Sequence, residues 1–265
     1  MNGKKDACGF RMKWLGCACF EIDFGTLTVV SDPWITPNQL NGLDWNAVEK
    51  CDLIALSHGH YDHTLDIPKL VRKFDPFVLC GENTAIPLAR FAGLNPMSVY
   101  PMNPGLELDF GTVKVKAVYG RHTPIQGTME ERIRTWENHP VNHGDRTLIE
   151  LGIWGEMEYR NFLFTLPNGK KLLLFGNRLN RIDRRNALRA EDPDVVAVQL
   201  TRRASTTAEE LAETCRGTRI RTVIAQHIDF PSDYREDVRR IGKEFEELCP
   251  EIRFVVPEHG CWMEF

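Results

Sequence analysis

The run CDLIALS, from Cys51 to Ser57, is apolar at nearly every position. A strand buried on one face alternates apolar and polar side chains, whereas one covered on both faces does not, so this run reads as an interior strand. Half-buried strands with a period of two precede it. Phe10, Met12 and Trp14 alternate with Arg11 and Lys13, and Phe20, Ile22 and Phe24 alternate with Glu21 and Asp23. TLTVVSDPW adds an apolar strand that stops at Asp32-Pro33, because proline cannot donate to a ladder.

Further strands are expected at FVLC and SVYP, then in LELDFGTVKVKAVYG, which Gly111 divides into a hairpin. The second half repeats the style with RTLIELGI, then RNFLFTLPNGKKLLLFG turning at Asn168-Gly169, then DVVAVQL, RTVIAQH and RFVVPEHG. Helices are expected at DIPKLVRKF, with Asp66 as cap and Pro68 in the first turn, at Thr207 to Cys215, and at Tyr234 to Leu248. Two strand-rich halves with interspersed helices imply an α+β fold of two sheets face to face with helices outside. Between the halves, about residues 124–146 break the rhythm: a short charged helix and a polar loop that either cover a site or form a solvated insertion.

With 265 residues the chain suits one large domain with a sizeable core. A formal net charge of -4 argues against general nucleic-acid binding. No apolar run approaches the roughly 18 residues of a membrane span, and MNGKKDACGFRMK lacks the apolar centre of a signal peptide, so a cytoplasmic location without membrane insertion is expected. The eight cysteines are scattered with no C-x-x-C pair, and most read as small buried hydrophobes.

The interior strand runs directly into LSHGHYDHTLD, three histidines and two aspartates in eleven residues. Neutral imidazole nitrogens and carboxylate oxygens bind zinc, manganese or ferrous iron, and a strand ending in a tight loop can aim several of them into one cleft. His58, His60, Asp62 and His63 are therefore candidate ligands.

HGHYDH resembles the H-x-H-x-D-H signature of the metallo-β-lactamase superfamily, and WLGCACFEIDFGTLTVVSDPW is similar to the branch containing L-ascorbate-6-phosphate lactonase and the N-acylphosphatidylethanolamine-hydrolysing phospholipases D. The resemblance implies a four-layer αββα sandwich with the metal site at one edge between the sheets. It also implies that His58 and His60 share a first metal with His122 of AVYGRHTP, and that Asp62 and His63 hold a second with His227 of VIAQHIDFP. One or two divalent transition metals follow, zinc foremost and manganese or iron as alternatives. Where relatives carry a bridging aspartate, this chain has Asn177, a neutral amide with one carbonyl oxygen to offer, so the second metal should bind more weakly or be absent. Asp183 and Asp145 are weaker substitutes.

A divalent ion lowers the pKa of its water from about 16 to about 7, so the resemblance implies a hydrolase that turns a metal-bound hydroxide on an ester, lactone or phosphoester of a small anionic molecule. Asp62 would orient that hydroxide or accept its proton, as metal ligand or as general base. Arg121 and Arg178 are the candidate anion contacts, within an arginine-rich segment (Arg181, Arg184, Arg185, Arg189, Arg202, Arg203) that reads equally as a solvated basic helix. His139, His143 and His259 read as structural or exposed, and Trp136 as a helix anchor or a substrate cover. The competing class is a non-catalytic sensor or scaffold of the same fold, motivated by Asn177. A nuclease would need a continuous basic groove.

Overall fold

The computed structural model describes residues 9–122, 127–175, 181–200 and 206–265. Its first sheet begins with β1 (Arg11–Gly16), β2 (Cys19–Asp23) and β3 (Thr28–Ser31), antiparallel to one another, and continues with β4 (Leu53–Ala55), β5 (Phe77–Cys80) and β6 (Val99–Pro101), parallel to β3. The second sheet repeats that plan. β7 (Glu107–Asp109), β8 (Lys114–Tyr119), β9 (Arg160–Thr165) and β10 (Lys171–Leu174) are antiparallel neighbours, and β11 (Val195–Gln199), β12 (Thr222–Gln226) and β13 (Arg253–Val255) run parallel to β10. The chain then returns to the first sheet as β14 (Trp262–Glu264), antiparallel to β1. The two halves thus share a topology that no residue-by-residue repeat in the sequence announces.

Facing sides of the sheets meet in one core, where Met12, Trp14, Phe20, Ile22 and Val29 from the first pack with Val115, Phe162, Phe164, Leu172 and Val196 from the second. Each fully buried Phe or Leu there contributes about 1.5–3 kcal/mol. The other side of the first sheet, with Val30, Ile54, Leu56 and Val78, is covered by α2 (Ile67–Phe74), α3 (Glu82–Ala92) and Leu151 of α5 (Arg146–Met157). Leu188 of α6 (Arg181–Glu191), Leu211 of α7 (Ala208–Cys215) and Phe245 of α8 (Arg235–Leu248) join the core from the second sheet's side. Both hairpin turns occur where expected, at Gly111 and at Asn168-Gly169.

Three expectations are corrected. RTLIELGI is the start of helix α5 and not a strand: Asp145 caps it by accepting from the Thr147 N–H at 2.8 Å, and the buried Leu151, Gly152 and Gly155 fall at helical spacing on one face. Lys13 does not face solvent. It is 3% exposed, its ammonium 2.8 Å from Glu21 and 2.6 Å from Glu49. Asp66 stands at the start of α2, but its carboxylate accepts from the Ile35 and Thr36 amides at 2.6 and 2.8 Å instead of capping the helix.

Candidate metal centre

Strand β3 ends at Ser31, and the next residue, Asp32, has a φ of +40° that turns its carboxylate toward the neighbouring strand end. Asp32 Oδ1 accepts from the Ser57 N–H at 2.7 Å, and Asp32 Oδ2 accepts from Ser57 Oγ at 2.8 Å. Ser57 Oγ also lies 2.9 Å from His58 Nδ1. A hydroxyl has one proton, and here Asp32 takes it, so His58 Nδ1 must be the donor in the second bond. That tautomer leaves His58 Nε2 as a bare lone pair, the form a metal requires.

His60 sits at the start of the short helix α1 (Tyr61–Thr64), its ring 5.0 Å from that of the buried Trp136 on α4 (Met129–Glu137). Helix α5 passes so close that a Cβ on Gly155 would lie 2.5 Å from His60 Cδ2. His122 follows β8, and the Tyr159 ring packs against both His122 and His58, at 4.5 and 4.3 Å. Donor atoms of His58, His60 and His122 lie within 4.8 Å of one another.

A second group adjoins the first, the His58 and His63 rings being 4.0 Å apart. It contains Cys17, Asp62, His63 and His227, again with donor atoms within 4.8 Å. Asp62 Oδ2 is 3.3 Å from His227 Nε2 and 3.8 Å from His63 Nε2, while His63 Nδ1 is 3.0 Å from Asp32 Oδ2. The 3.3 Å between Asp62 Oδ2 and His227 Nε2 matches the roughly 3.3–3.5 Å between neighbouring ligand atoms of a tetrahedral ion with bonds of about 2.0–2.1 Å.

The electrostatics suit cation binding. Burial, reinforced by the neighbouring imidazoles, holds His58 well below its ordinary pKa and brings His60 down to about 3. Both are neutral donors at neutral pH. Burial would raise Asp62, but His63 and the hydrogen bond from His227 outweigh it and keep the carboxylate ionised. Burial also opposes charge on His63, and there Asp32 and Asp62 prevail and raise its pKa. Among the described residues, His60 Nε2 and His227 Nδ1 are buried without a hydrogen-bond partner. Converging neutral imidazoles and an ionised carboxylate are the donor chemistry of a divalent transition metal. The residues therefore fit a divalent ion.

The structure brings together six of the candidate ligands and leaves other candidates elsewhere. Asn177 and Arg178 lie outside the described residues. Arg121 is about half exposed, 3.7 Å from Asp183 on α6, and Asp145 is the cap of α5. His143 is exposed, and His139 accepts from the Val141 N–H at 3.3 Å and stacks on Trp136. His259 reaches the centre only indirectly, its Nε2–H donating to Asp229 Oδ2 at 2.8 Å. Cys17, Asp32, Ser57 and Tyr159 were not foreseen as site residues. Asp32 had one signal, standing at a strand end as His58 does; Cys17 had only its position in the break between two alternating runs.

Residues 11 to 227 match the family profile of the beta-lactamase superfamily domain. A UPF0173 metal-dependent hydrolase of Bacillus velezensis is 29% identical over 174 residues, covering 60% of this chain and 73% of that one. A second, from Listeria innocua, is 34% identical over 121 residues, 44% of this chain and 51% of that one, so the chain spans about half the length of that relative. In fold the chain is similar to Igni18, a metallo hydrolase from the archaeon Ignicoccus hospitalis, with a TM-score of 0.72, 15% identity and coverage of 97% and 98%.

Proposed function

The chain belongs to the metallo-β-lactamase superfamily, and on that premise we propose that it is a metal-dependent hydrolase in which His58, His60 and His122 hold one divalent ion and Asp62, His63 and His227 help to hold a second. The observation that carries this reading is the convergence of donors from three separate strand ends, with the buried, neutral His58 and His60 in the first group and an ionised carboxylate in the second. When bound, such an ion acidifies a water and polarises the acyl or phosphoryl oxygen under attack. Asp32 and Ser57 fix the His58 tautomer, and Trp136 with α5 walls the His60 side from solvent. Asp62, already ionised and flanked by two imidazoles, holds or accepts the proton of the attacking water.

For the substrate we propose a small anionic ester, lactone or phosphoester, as in the lactonase-like branch that the N-terminal run resembles. Arg121 would receive the anion, its guanidinium oriented by Asp183. Zinc is the first choice of ion, since imidazole-rich sets suit it. We place the protein in the cytoplasm: the seven described cysteines are free thiols, as in reducing compartments. Among the described residues no helix is long and apolar enough to cross a membrane.

Asn177 supports a second reading, a metal-binding sensor or scaffold without turnover. A panel of lactones, carboxylic esters and phosphodiesters, assayed with metal-loaded protein, separates the two. Hydrolysis of one class that falls to background in His58→Ala and His60→Ala supports the enzyme, with Arg121→Ala raising KM and sparing kcat. Fully loaded protein that turns over none of them supports the scaffold.

A further inference from the structure

Cys17 stands apart from the other buried thiols. Cys19, Cys51 and Cys80 pack among aliphatic side chains of one core cluster, and Cys215 and Cys249 among those of the other. Cys17, completely buried, packs against Ala18 and Trp34 and in addition places its sulfur within 4.8 Å of donor atoms of Asp62, His63 and His227.

Its backbone is held for that purpose. Cys17 has φ of +49°, a conformation that L residues with a side chain adopt at a cost. Three hydrogen bonds enforce it: the Cys17 N–H donates to Asp229 Oδ1 at 2.8 Å, and the Cys17 carbonyl accepts from Trp14 Nε1 at 3.0 Å and from the His227 N–H at 2.8 Å. Asp229 is itself fixed by Asn38 at 2.7 Å and His259 at 2.8 Å, and the His259 ring stacks on Trp14 at 4.1 Å. Gly16 makes the close approach possible, since a Cβ there would meet Asn38 Nδ2 at 2.6 Å. Strain maintained by this many contacts fits a residue whose side chain must point one way. His227, which donates to the same carbonyl, is locked in register with it.

Charge and donor count agree. Asp62 alone offers one negative charge to a buried dication, and a thiolate supplies the second. With the sulfur the second group has four protein donors, the number of a closed tetrahedral site, whereas His58, His60 and His122 make three, the number of an open one.

We propose that Cys17 Sγ is a ligand of the second ion, giving a Cys-Asp-His-His site that takes a zinc-like ion in preference to magnesium, calcium or manganese. This rests on the reading that the second group holds a metal at all. Binding breaks the S–H bond and releases its proton to solvent, with no change of oxidation state.

Cobalt(II) loading of metal-free full-length protein tests both levels. Visible ligand-field bands report bound cobalt, and a near-ultraviolet charge-transfer band reports a thiolate on it. We expect both in wild type; in Cys17→Ser the near-ultraviolet band disappears and the second equivalent is held at least about tenfold more weakly, the smallest loss usual even for outer-sphere partners. Cys261→Ser, at an exposed thiol, leaves both intact. Visible bands without the near-ultraviolet band in wild type, or its survival in Cys17→Ser, would overturn the assignment to Cys17 while leaving the metal centre standing. No visible bands at all would overturn both. If Cys17→Ser fails to fold, the wild-type spectrum still decides, because Cys17 is the one thiol in either donor group among the described residues.

Discussion

Asp32 grips Ser57 twice, through its N–H at 2.7 Å and its hydroxyl at 2.8 Å, and so dictates which nitrogen of His58 carries the proton. Ser57→Ala removes the acceptor that holds the His58 ring while leaving the ring in place. Loss of such a support lowers metal affinity about 10–100-fold. Competition titration against a zinc chelator would measure it; unchanged affinity would show that Tyr159 stacking alone orients His58.

Gly155 is where α5 touches the centre, with a hypothetical Cβ 2.5 Å from His60 Cδ2. Gly155→Ala therefore displaces His60 or lifts the helix. Overpacking of this kind costs about 1–3 kcal/mol, and we expect weaker first-ion retention together with a lower Tm. Normal metal content beside normal Tm would contradict the packing described.

Lys13 and Glu21 form a pair that is 4% and 1% exposed in its side chains, remote from the donor groups. Lys13→Ala leaves the buried Glu21 carboxylate with no cation and only the Glu49 and Lys50 amides, at a cost of about 3 kcal/mol in urea unfolding. Lys13→Met combined with Glu21→Leu should recover part of it, because no buried charge is orphaned although the Glu49 and Lys50 amides lose their acceptor.

Glu158 caps α3 from a distance. Its carboxylate accepts from the Thr84 N–H and hydroxyl, both at 2.9 Å, and from the Asn83 N–H at 3.2 Å, with Arg160 beside it. Burial would raise its pKa, but Arg160 and these donors outweigh burial and lower it from 4.5. Because the folded form binds its proton less readily than the unfolded chain, Glu158 adds stability above about pH 4.5 that fades as the pH falls below it. Glu158→Gln should lose about 1–2 kcal/mol at pH 7 and little at pH 3. An equal loss at both pH values would contradict the charge-based account.

Much of the centre is legible in the sequence because His58, His60, Asp62 and His63 lie on one loop after one strand. His122 and His227 are recoverable since each also ends an apolar strand, with the superfamily resemblance pairing them to the loop. Cys17 was not, because a thiol among apolar residues looks like any buried cysteine; its role depends on an approach to Asp229 across 212 residues. Lys13 followed the polar phase of its strand, and only the packing of Glu21 and Glu49 around it makes that face buried. For α5, the β-branched Thr147, Ile149 and Ile153 suggest a strand, and the Asp145 cap with the glycine-lined face outweighs them.

Elemental analysis of unsupplemented, purified protein reads out whether donors from these distant strand ends hold a metal. We expect at least one equivalent of a divalent transition metal per chain, zinc foremost, falling to background in a folded His58→Ala/His60→Ala double variant. Folded wild type without stoichiometric metal, or the same metal content in the double variant, would contradict that expectation.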